Sequence, residues 1–394
     1  MTEEVKKPWG ILTGIRPSKI ATKLLLDGMT KSDAVDYFIN EYGTDRDKAC
    51  LAVDVARAEM PIREGMYKDG VSLYIGIPFC PTRCLYCSFV TCGTRQAARL
   101  IDEYIKMLKR EISHTANILK EAGARIETVY IGGGTPTTLS AELLNELISH
   151  LYAEFDLSNC REFTVEAGRP DTVTREKLEV LKKHNVSRIS INPQTMNEET
   201  LKIIGRAHTP KQIREAFALA RDCGFDNINM DVIAGLPGEN LDMFKYTLEE
   251  VEKLSPENTT VHVMSIKRSS RLHEYLNEYQ LPDGDTVSSM VDYAYEFLGN
   301  KGKHPYYMYR QKNQLGNLEN VAYAKQSFDS LYNVYIMEEI QSIISLGCGG
   351  VTKTVDRSID RIERIFNVKE PKDYIERIDE MLERKNQLKN LKFL

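Results

Sequence analysis

The sequence has no long hydrophobic run, no excess of positive charge and no evenly paired set of cysteines. No apolar stretch approaches the ~18 residues of a membrane span, and the N-terminus is charged rather than signal-like. The net charge of −5 gives no basis for binding nucleic acid or an anionic membrane surface. Eight mostly isolated cysteines in 394 residues are typical of a protein in a reducing compartment. We therefore expect a cytoplasmic protein whose partners include neither nucleic acid nor a membrane.

Three of the cysteines stand close together, directly after the apolar stretch 72–79. Cys80, Cys84 and Cys87 have the spacing C-x3-C-x2-C, and a short irregular loop with this spacing can fold three thiolates around one [4Fe–4S] cube. A structural zinc site would normally need four ligands in two paired knuckles, but the sequence contains no second C-x2-C. A disulfide knot would need a denser, evenly paired set. The spacing thus predicts a cluster with three protein ligands and one iron open to another ligand.

From residue 72 onwards, apolar strand-like stretches alternate with helical patterns, which is typical of a parallel sheet. We predict an α/β fold with a partial (β/α)6 barrel over 71–280, an N-terminal helical segment over 1–70 and a smaller α+β C-terminal domain over 281–394. The predicted strands are 72–79, 128–132, 162–167, 188–192, 227–233 and 259–266, with helices near 98–121, 140–154, 174–184, 210–223 and 241–254. In the C-terminal part we predict a helix over 286–298, a strand over 332–337 and a charged helix from Pro371.

Candidate site residues follow the predicted strands at their carboxyl ends, where barrels of this kind place their chemistry. The segment Gly132-Gly-Gly-Thr135 lets the backbone approach a ligand closely, and it lacks the Gly-Lys-Ser/Thr of a phosphate loop. Glu166 can accept hydrogen bonds from a ribose or an ammonium, although a salt bridge to Arg169 is an alternative interpretation. The later strands bring Gln194, Arg206 and Asp231 to the same edge.

These residues together carry a resemblance to a known family. The stretches Tyr74-x-x-Ile-Pro-Phe-Cys80, Gly132-Gly-Gly-Thr-Pro-Thr137, Gly205-Arg-x-His-Thr209 and Asp231-x-Ile-x-Gly-Leu-Pro237 resemble the oxygen-independent coproporphyrinogen III oxidase family of radical S-adenosylmethionine (SAM) proteins. Further stretches at 9–17, 265–272, 306–313 and 316–320 are similar to the branch called HemZ. Two positions differ from the founding oxidases, which have His where this chain has Gly76 and Cys where it has Phe89.

The resemblance implies two cofactors and the residues that bind them. Cys80, Cys84 and Cys87 would ligate a [4Fe–4S] cluster, whose open iron chelates SAM and whose electron splits it. A flavodoxin- or ferredoxin-type protein would donate that electron. The residues implied to bind the cofactors are Tyr74, Tyr86, Phe89, Gly133, Gly134, Thr135, Glu166, Gln194, Arg206 and Asp231, with Phe89 expected to pack on the adenine.

The resemblance also implies a tetrapyrrole substrate. The most concrete reaction is oxidative decarboxylation of coproporphyrinogen III propionates to vinyl groups. Relatives in the same family leave two alternatives open: a haem-binding trafficking protein that does little chemistry, and a methyl-transfer or ring-opening reaction on haem.

Four propionates on such a substrate require basic groups near the barrel edge, because burying unpaired carboxylates is expensive. We predict substrate contacts from Arg268, Arg271, Tyr309, Arg310 and Lys312, with Arg268 and Arg310 as the principal pair. Arginine donates two parallel hydrogen bonds to a carboxylate, and tyrosine rings offer a flat surface to a macrocycle. The alternative is that these cations are ordinary exposed surface charges.

Overall fold

The computed structural model describes residues 7–14, 16–89, 94–357, 359 and 361–390, without the side chains of 94–98. The N-terminal part is helical, as predicted, with α1 (Pro17–Leu26), α2 (Lys31–Tyr42) and α3 (Arg46–Glu64). The side chain of Thr30 caps α2 by accepting a hydrogen bond from the Asp33 amide. In the described part of the chain, no helix combines the length and the apolar character needed to cross a bilayer.

Six parallel strands with their connecting helices follow and confirm the predicted partial barrel. They consist of β1 (Gly70–Ile77), α4 (Thr94–Glu121), β2 (Arg125–Gly133), α5 (Ala141–Glu154), β3 (Glu162–Glu166), α6 (Arg175–Lys183), β4 (Arg188–Ser190), α7 (Glu198–Ile203), α8 (Pro210–Asp222), β5 (Ile228–Ala234), α9 (Leu241–Leu254) and β6 (Asn258–Val263). Neighbouring strands from β1 to β6 pair in parallel. Their carboxyl ends therefore meet at one edge, which we call the rim.

The remaining elements extend this sheet on both sides. They are α10 (Arg271–Glu274), α11 (Gly284–Asn300), β7 (His304–Arg310), β8 (Glu319–Ala324), α12 (Leu331–Glu338), β9 (Ser342–Leu346), β10 (Val351–Asp356), β11 (Arg361–Phe366), α13 (Pro371–Glu376) and α14 (Ile378–Lys385). The order is β11-β10-β9-β1-β2-β3-β4-β5-β6-β8-β7, and no pairing among the described residues closes the sheet into a barrel.

Two of the added strands deliver new side chains to the rim. β9 pairs in parallel with β1, so the glycine-rich segment after Leu346 lies at the rim. β8 runs antiparallel to β6 and β7 antiparallel to β8, so β7 points the same way as β6. Residues at the end of β7 therefore also reach the rim. The division of the chain at residue 281 into a barrel and a C-terminal domain stays a prediction.

The predicted strand at 332–337 is wrong, because this segment is the helix α12. Its β-branched and aromatic residues favour a strand, but the helix N-terminus is capped by a local residue and by a tertiary contact. Ser330 accepts from the Asn333 amide, and the buried carboxylate of Glu162 on β3 accepts from the Leu331 amide at 2.7 Å. A negative charge against the free amides of a first turn stabilises a helix that the local sequence does not favour.

The strands of the barrel are buried on both faces. On β1 the outward-facing Val71, Leu73, Ile75 and Ile77 are fully buried in the main hydrophobic core. On the inner face Tyr74 stacks on Tyr130 of β2, with ring centroids 6.0 Å apart, and Tyr130 stacks on Tyr332 of α12 at 4.5 Å. This tyrosine stack fills the barrel below the rim.

Candidate functional site

The loop that carries the three cysteines leaves the carboxyl end of β1 and is fixed by the glycine segment after β2. The Gly134 amide donates to the Ile77 carbonyl at 2.7 Å, and the Thr135 amide donates to the Phe79 carbonyl at 2.8 Å. A Cβ at position 134 would lie 2.6 Å from the Phe79 oxygen, and Gly133 has a φ of 111°. Only glycines allow the two loops to approach this closely.

The three cysteines line one cavity of about 170 Å³, which we call the cluster cavity. All three are free thiols, and burial raises the pKa of Cys80 to about 11. Within the described residues, no group of three or more His, Cys, Asp or Glu side chains is placed to hold a single metal ion. Three thiols on the wall of one cavity are a donor set that can ligate three irons of one [4Fe–4S] cluster, so the chemistry of these residues fits a cluster.

Most of the predicted SAM-binding residues line the same cavity, where the structure brings Tyr86, Phe89, Gly133, Gly134, Thr135, Glu166, Gln194 and Arg206 together. The buried Gln194 Oε1 has no hydrogen-bond partner among the described residues. Buried polar groups are rarely left unpaired, so this oxygen fits a hydrogen-bond donor of a bound ligand. Tyr74 and Asp231 line neighbouring cavities instead.

Two buried arginines flank the cysteine loop. Arg169 donates to Thr82 Oγ1 in the loop at 2.8 Å and pairs with both carboxylate oxygens of Asp171 at 3.0 Å. Arg206 donates from Nη2 to two backbone carbonyls and from Nη1 to the Tyr86 hydroxyl at 3.4 Å. Both guanidinium groups place positive charge beside the thiols, which suits a site for thiolates and an anionic cluster.

The pKa values of the two carboxylates at the rim, Glu166 and Asp231, are shifted in opposite directions. Burial raises the pKa of Glu166 to about 7, although Tyr130 donates a hydrogen bond to its Oε1 at 2.7 Å. Burial also acts to raise the pKa of Asp231, but the neighbouring His262 and a hydrogen bond from Asn229 hold that pKa below its usual value. The suggested salt bridge between Glu166 and Arg169 does not form, since Arg169 pairs with Asp171.

Two further cavities adjoin the cluster cavity and share Phe89 with it. One, of about 300 Å³, is the Tyr309 cavity, whose walls include Tyr86, Cys87, Gln194, Asp231, His262, Lys267, Tyr309 and Gln311. The other, of about 280 Å³, is the Cys348 cavity, whose walls include Tyr74, Gly133, Gly134, Ser269, Cys348, Gly349 and Lys369. Phe89 is 63% exposed and contributes to all three cavities.

Of the predicted substrate residues, only Tyr309 lines one of these cavities. Arg268, Arg271 and Lys312 are exposed and line none of the three. Arg310 corrects the sequence interpretation, because its guanidinium donates to the backbone carbonyls of Leu12, Gly14 and Asn317 and lies over the Trp9 ring. Successive strand residues point to opposite faces, so Tyr309 faces the cavity and Arg310 faces the N-terminal segment.

Sequence reasoning did not select several residues that the structure brings to the site. Asn192 donates to Asp231 Oδ2 at 2.7 Å, and His262 Nε2 lies 3.7 Å from the same oxygen. His262 is a polar residue between two valines near the end of β6, which is a usable signal for a rim residue. Gln311 and Cys348 gave no such signal, because the strands that precede them, β7 and β9, were not predicted.

Comparison with known proteins gives consistent similarities. Residues 74–251 match the model of the radical SAM superfamily. The chain is 44% identical over 384 residues to the oxygen-independent coproporphyrinogen-III oxidase-like protein HemZ of Bacillus subtilis (strain 168), covering 97% of this chain and 77% of that protein. It is 28% identical to the heme chaperone HemW of Escherichia coli (strain K12), covering 78% of this chain and 76% of the relative.

Among solved structures, coproporphyrinogen III oxidase (HemN) from Escherichia coli superposes with a TM-score of 0.64 at 23% identity. The superposition covers 83% of this chain and 73% of that one. At this identity the likeness concerns the fold.

Proposed function

The chain belongs to the radical SAM superfamily and, within it, to the oxygen-independent coproporphyrinogen III oxidase-like family, and on that premise we propose that it oxidatively decarboxylates propionates of coproporphyrinogen III. The radical derived from SAM would take a hydrogen atom from the propionate β-carbon, and loss of CO2 with transfer of one electron to a one-electron acceptor would leave a vinyl group. The observation that supports this best is that the cluster cavity adjoins the Tyr309 cavity, where a cation, a tyrosine and amide groups meet.

Members of the superfamily use a [4Fe–4S] cluster and SAM, which together supply a radical that removes a hydrogen atom from the substrate. In this chain Cys80, Cys84 and Cys87 would hold the cluster. The glycines at 133 and 134 line the cluster cavity, where their backbone would approach the methionine part of SAM. Glu166 and Gln194 offer hydrogen-bond acceptors at the cavity wall.

The chain's own residues would position the substrate and exclude water. The Tyr309 cavity meets the cluster cavity at Tyr86, Cys87, Phe89 and Gln194. A propionate held there would lie close to the cofactors, and close positioning of reacting groups is a large source of rate. The electron for each turnover would come from a flavodoxin- or ferredoxin-type donor.

A haem-binding chaperone is the second candidate, since the chain is also similar to proteins named heme chaperones, at 33% identity to that of Bacillus subtilis over 60% of this chain. Such a protein would keep the cofactor sites but bind haem without converting it.

Anaerobic product analysis separates the two candidates. We expect the reduced, cluster-loaded protein with SAM and coproporphyrinogen III to form vinyl products and 5′-deoxyadenosine, identified by mass spectrometry. The Cys84→Ala variant is the matched control and should form neither. Stable haem binding with no conversion of coproporphyrinogen by the wild-type protein would contradict the oxidase proposal and favour the chaperone.

A further inference from the structure

One lysine at the Tyr309 cavity stands in an unusual electrostatic position. Lys267 follows β6 at the rim and is half-buried in the cavity wall. Its ammonium donates to Gln311 Oε1, which is a neutral amide. Burial alone lowers its pKa, and no carboxylate among the described residues lies close enough to pair with it. A partly desolvated ammonium with three donors and one neutral partner is an incomplete site.

The carboxylate on the same cavity wall does not neutralise Lys267. Asp231 accepts hydrogen bonds from Asn192 at 2.7 Å and from Asn229 at 2.7 Å, and His262 lies beside it. Its charge is therefore already met by its own neighbours. The positive charge of Lys267 remains available to an anion that enters the cavity.

The other polar groups near Lys267 suit a carboxylate. Gln311 has an amide nitrogen that can donate, and the Tyr309 hydroxyl lies 3.5 Å from His262 Nδ1, so it has at most a weak partner there. The exposed Arg268 and Lys312 lie in solvent, where ion pairs contribute little. A half-buried cation beside two neutral donors binds a carboxylate more strongly than a solvated cation does.

We propose that Lys267, with Gln311 and Tyr309, forms the subsite that binds a carboxylate of the tetrapyrrole substrate. This inference rests on the proposed function for the substrate class and assigns the specificity to a residue other than Arg268 or Arg310. Because this subsite adjoins the cluster cavity at Cys87 and Phe89, it also fixes which side of the macrocycle faces the cofactors.

The test compares the binding of coproporphyrin III and of its tetramethyl ester to the cluster-loaded protein, by anaerobic fluorescence titration. We expect Lys267→Met to weaken binding of the acid about 10- to 100-fold, in line with loss of a charged hydrogen bond, and to leave binding of the ester unchanged. Lys267→Arg should stay within about 3-fold of wild type, since the charge remains. Gln311→Glu should weaken binding of the acid as much as Lys267→Met does, because the new carboxylate would pair with Lys267.

Lys211→Ala, an exposed lysine on α8, is the matched control for a lost positive charge and should bind like wild type. Iron content and SAM affinity are measured on every variant, since SAM also carries a carboxylate. A Lys267→Met variant that loses affinity for SAM but not for coproporphyrin would overturn the proposal, and so would equal affinity for the acid in Lys267→Met and wild type.

The outcomes distinguish this proposal from the proposed function. If wild type converts coproporphyrinogen and Lys267→Met binds it equally well, the subsite is wrong and the function stands. If binding of the acid depends on Lys267 but wild type yields no vinyl product, the subsite stands and the reaction is wrong. Absence of binding of coproporphyrin to wild type overturns both.

Discussion

Glu166 shows how the fold sets the protonation of a single residue at the site. Its carboxyl is buried at the end of β3, and Tyr130 donates a hydrogen bond to it. Burial raises its pKa to about 7, whereas the same group in the unfolded chain has an ordinary acidic value. Between these two values the folded protein holds a proton that the unfolded chain has lost, so stability falls as pH rises through this window.

This difference predicts a stabilising substitution. In the cluster-loaded protein without SAM, Glu166→Gln should raise the free energy of unfolding at pH 8 by on the order of 1–3 kcal/mol, and by much less at pH 5, where the wild-type carboxyl is already neutral. The affinity for SAM should fall although the stability rises, because the substitution removes the anionic acceptor. Thermal unfolding at both pH values and SAM titration measure the two effects. A variant less stable than wild type at pH 8 would contradict the buried-charge explanation.

The cysteine triplet carries a second prediction at the residue scale. Replacement of Cys80, Cys84 or Cys87 by alanine should each abolish the bound cluster, which holds about four iron and four sulfide per chain when all three thiolates are present. Cys92→Ala should retain it; this residue lies outside the described part of the chain. Iron and sulfide analysis after anaerobic reconstitution checks both. Loss of the cluster in Cys92→Ala would refute the assignment of three ligands.

At the same scale, the sequence predicted the motif residues well but not the choice among basic residues. Cys80, Gly134 and Glu166 could be placed because each lies at or just after the end of a strand whose apolar pattern is plain. The sequence analysis chose Arg268 and Arg310 as the principal pair, whereas Lys267 is the basic residue that lines the Tyr309 cavity. Strand alternation and the irregular register between Pro305 and Tyr307 decide which side chains face the cavity. Nothing local in the sequence reports that register.

At the scale of elements, the cysteine loop is held by segments from several βα units. The Leu85 amide donates to the Ile204 carbonyl at 3.0 Å, and the Leu272 amide donates to the Leu85 carbonyl at 2.9 Å. Arg83 Nη2 donates to the Ser269 carbonyl at 2.6 Å. Arg169, which is 3% exposed, adds a charged contact from the loop after β3. Contacts from several βα units therefore position the cysteine loop at the rim.

Substitution of Arg169 also tests how positive charge near the cysteine loop affects the reduction potential of the cluster. Arg169→Leu removes a buried positive charge and leaves Asp171 unpaired, so the extra electron of the reduced cluster is less stabilised. We expect a more negative reduction potential, because charge and hydrogen bonding near the sulfurs set this value. A redox titration followed by electron paramagnetic resonance measures it, with Arg175→Leu on the exposed face of α6 as the matched control. An unchanged or more positive potential would show that Arg169 serves only to hold Thr82.

Elements were predicted where local pattern and tertiary structure agree, and missed where they do not. The helices α8 and α9 carry their own capping residues, Thr209 and Asn240, and both were predicted within one residue. Helix α12 also has a local cap, Ser330, but its first amide is bound by Glu162, a residue distant in sequence, and its β-favouring composition gave the wrong prediction. Strands β7 to β11 lie at the two ends of the sheet, where pairing with β6 and β1 rather than an alternating pattern defines them.

At the scale of the whole molecule, the N-terminal segment and strand β8 are joined through the buried carboxylate of Glu319. Trp9 Nε1 donates to Glu319 Oε2 at 2.7 Å, and Lys48 donates to Glu319 Oε1 at 2.7 Å. Glu319 opens β8, which pairs with the barrel strand β6. The contacts between the N-terminal helices, the barrel and the C-terminal strands therefore exist only while all three parts are folded.

This sharing predicts cooperative unfolding. Trp9 is the single tryptophan of the chain and is fully buried, so its fluorescence reports on the contact between the N-terminal segment and β8, while far-UV circular dichroism reports on the barrel. We expect both signals to change at the same urea concentration, as two-state unfolding requires. Glu319→Ala should lower the unfolding free energy by about 3–5 kcal/mol, since it leaves the buried Lys48 without its closest partner, whereas Glu296→Ala on the exposed face of α11 should change it by less than about 0.5 kcal/mol. Two separate transitions, with Trp9 changing first, would instead mean that the N-terminal segment and β8 detach from a barrel that remains folded, and the predicted boundaries at residues 70 and 281 would then mark independent units.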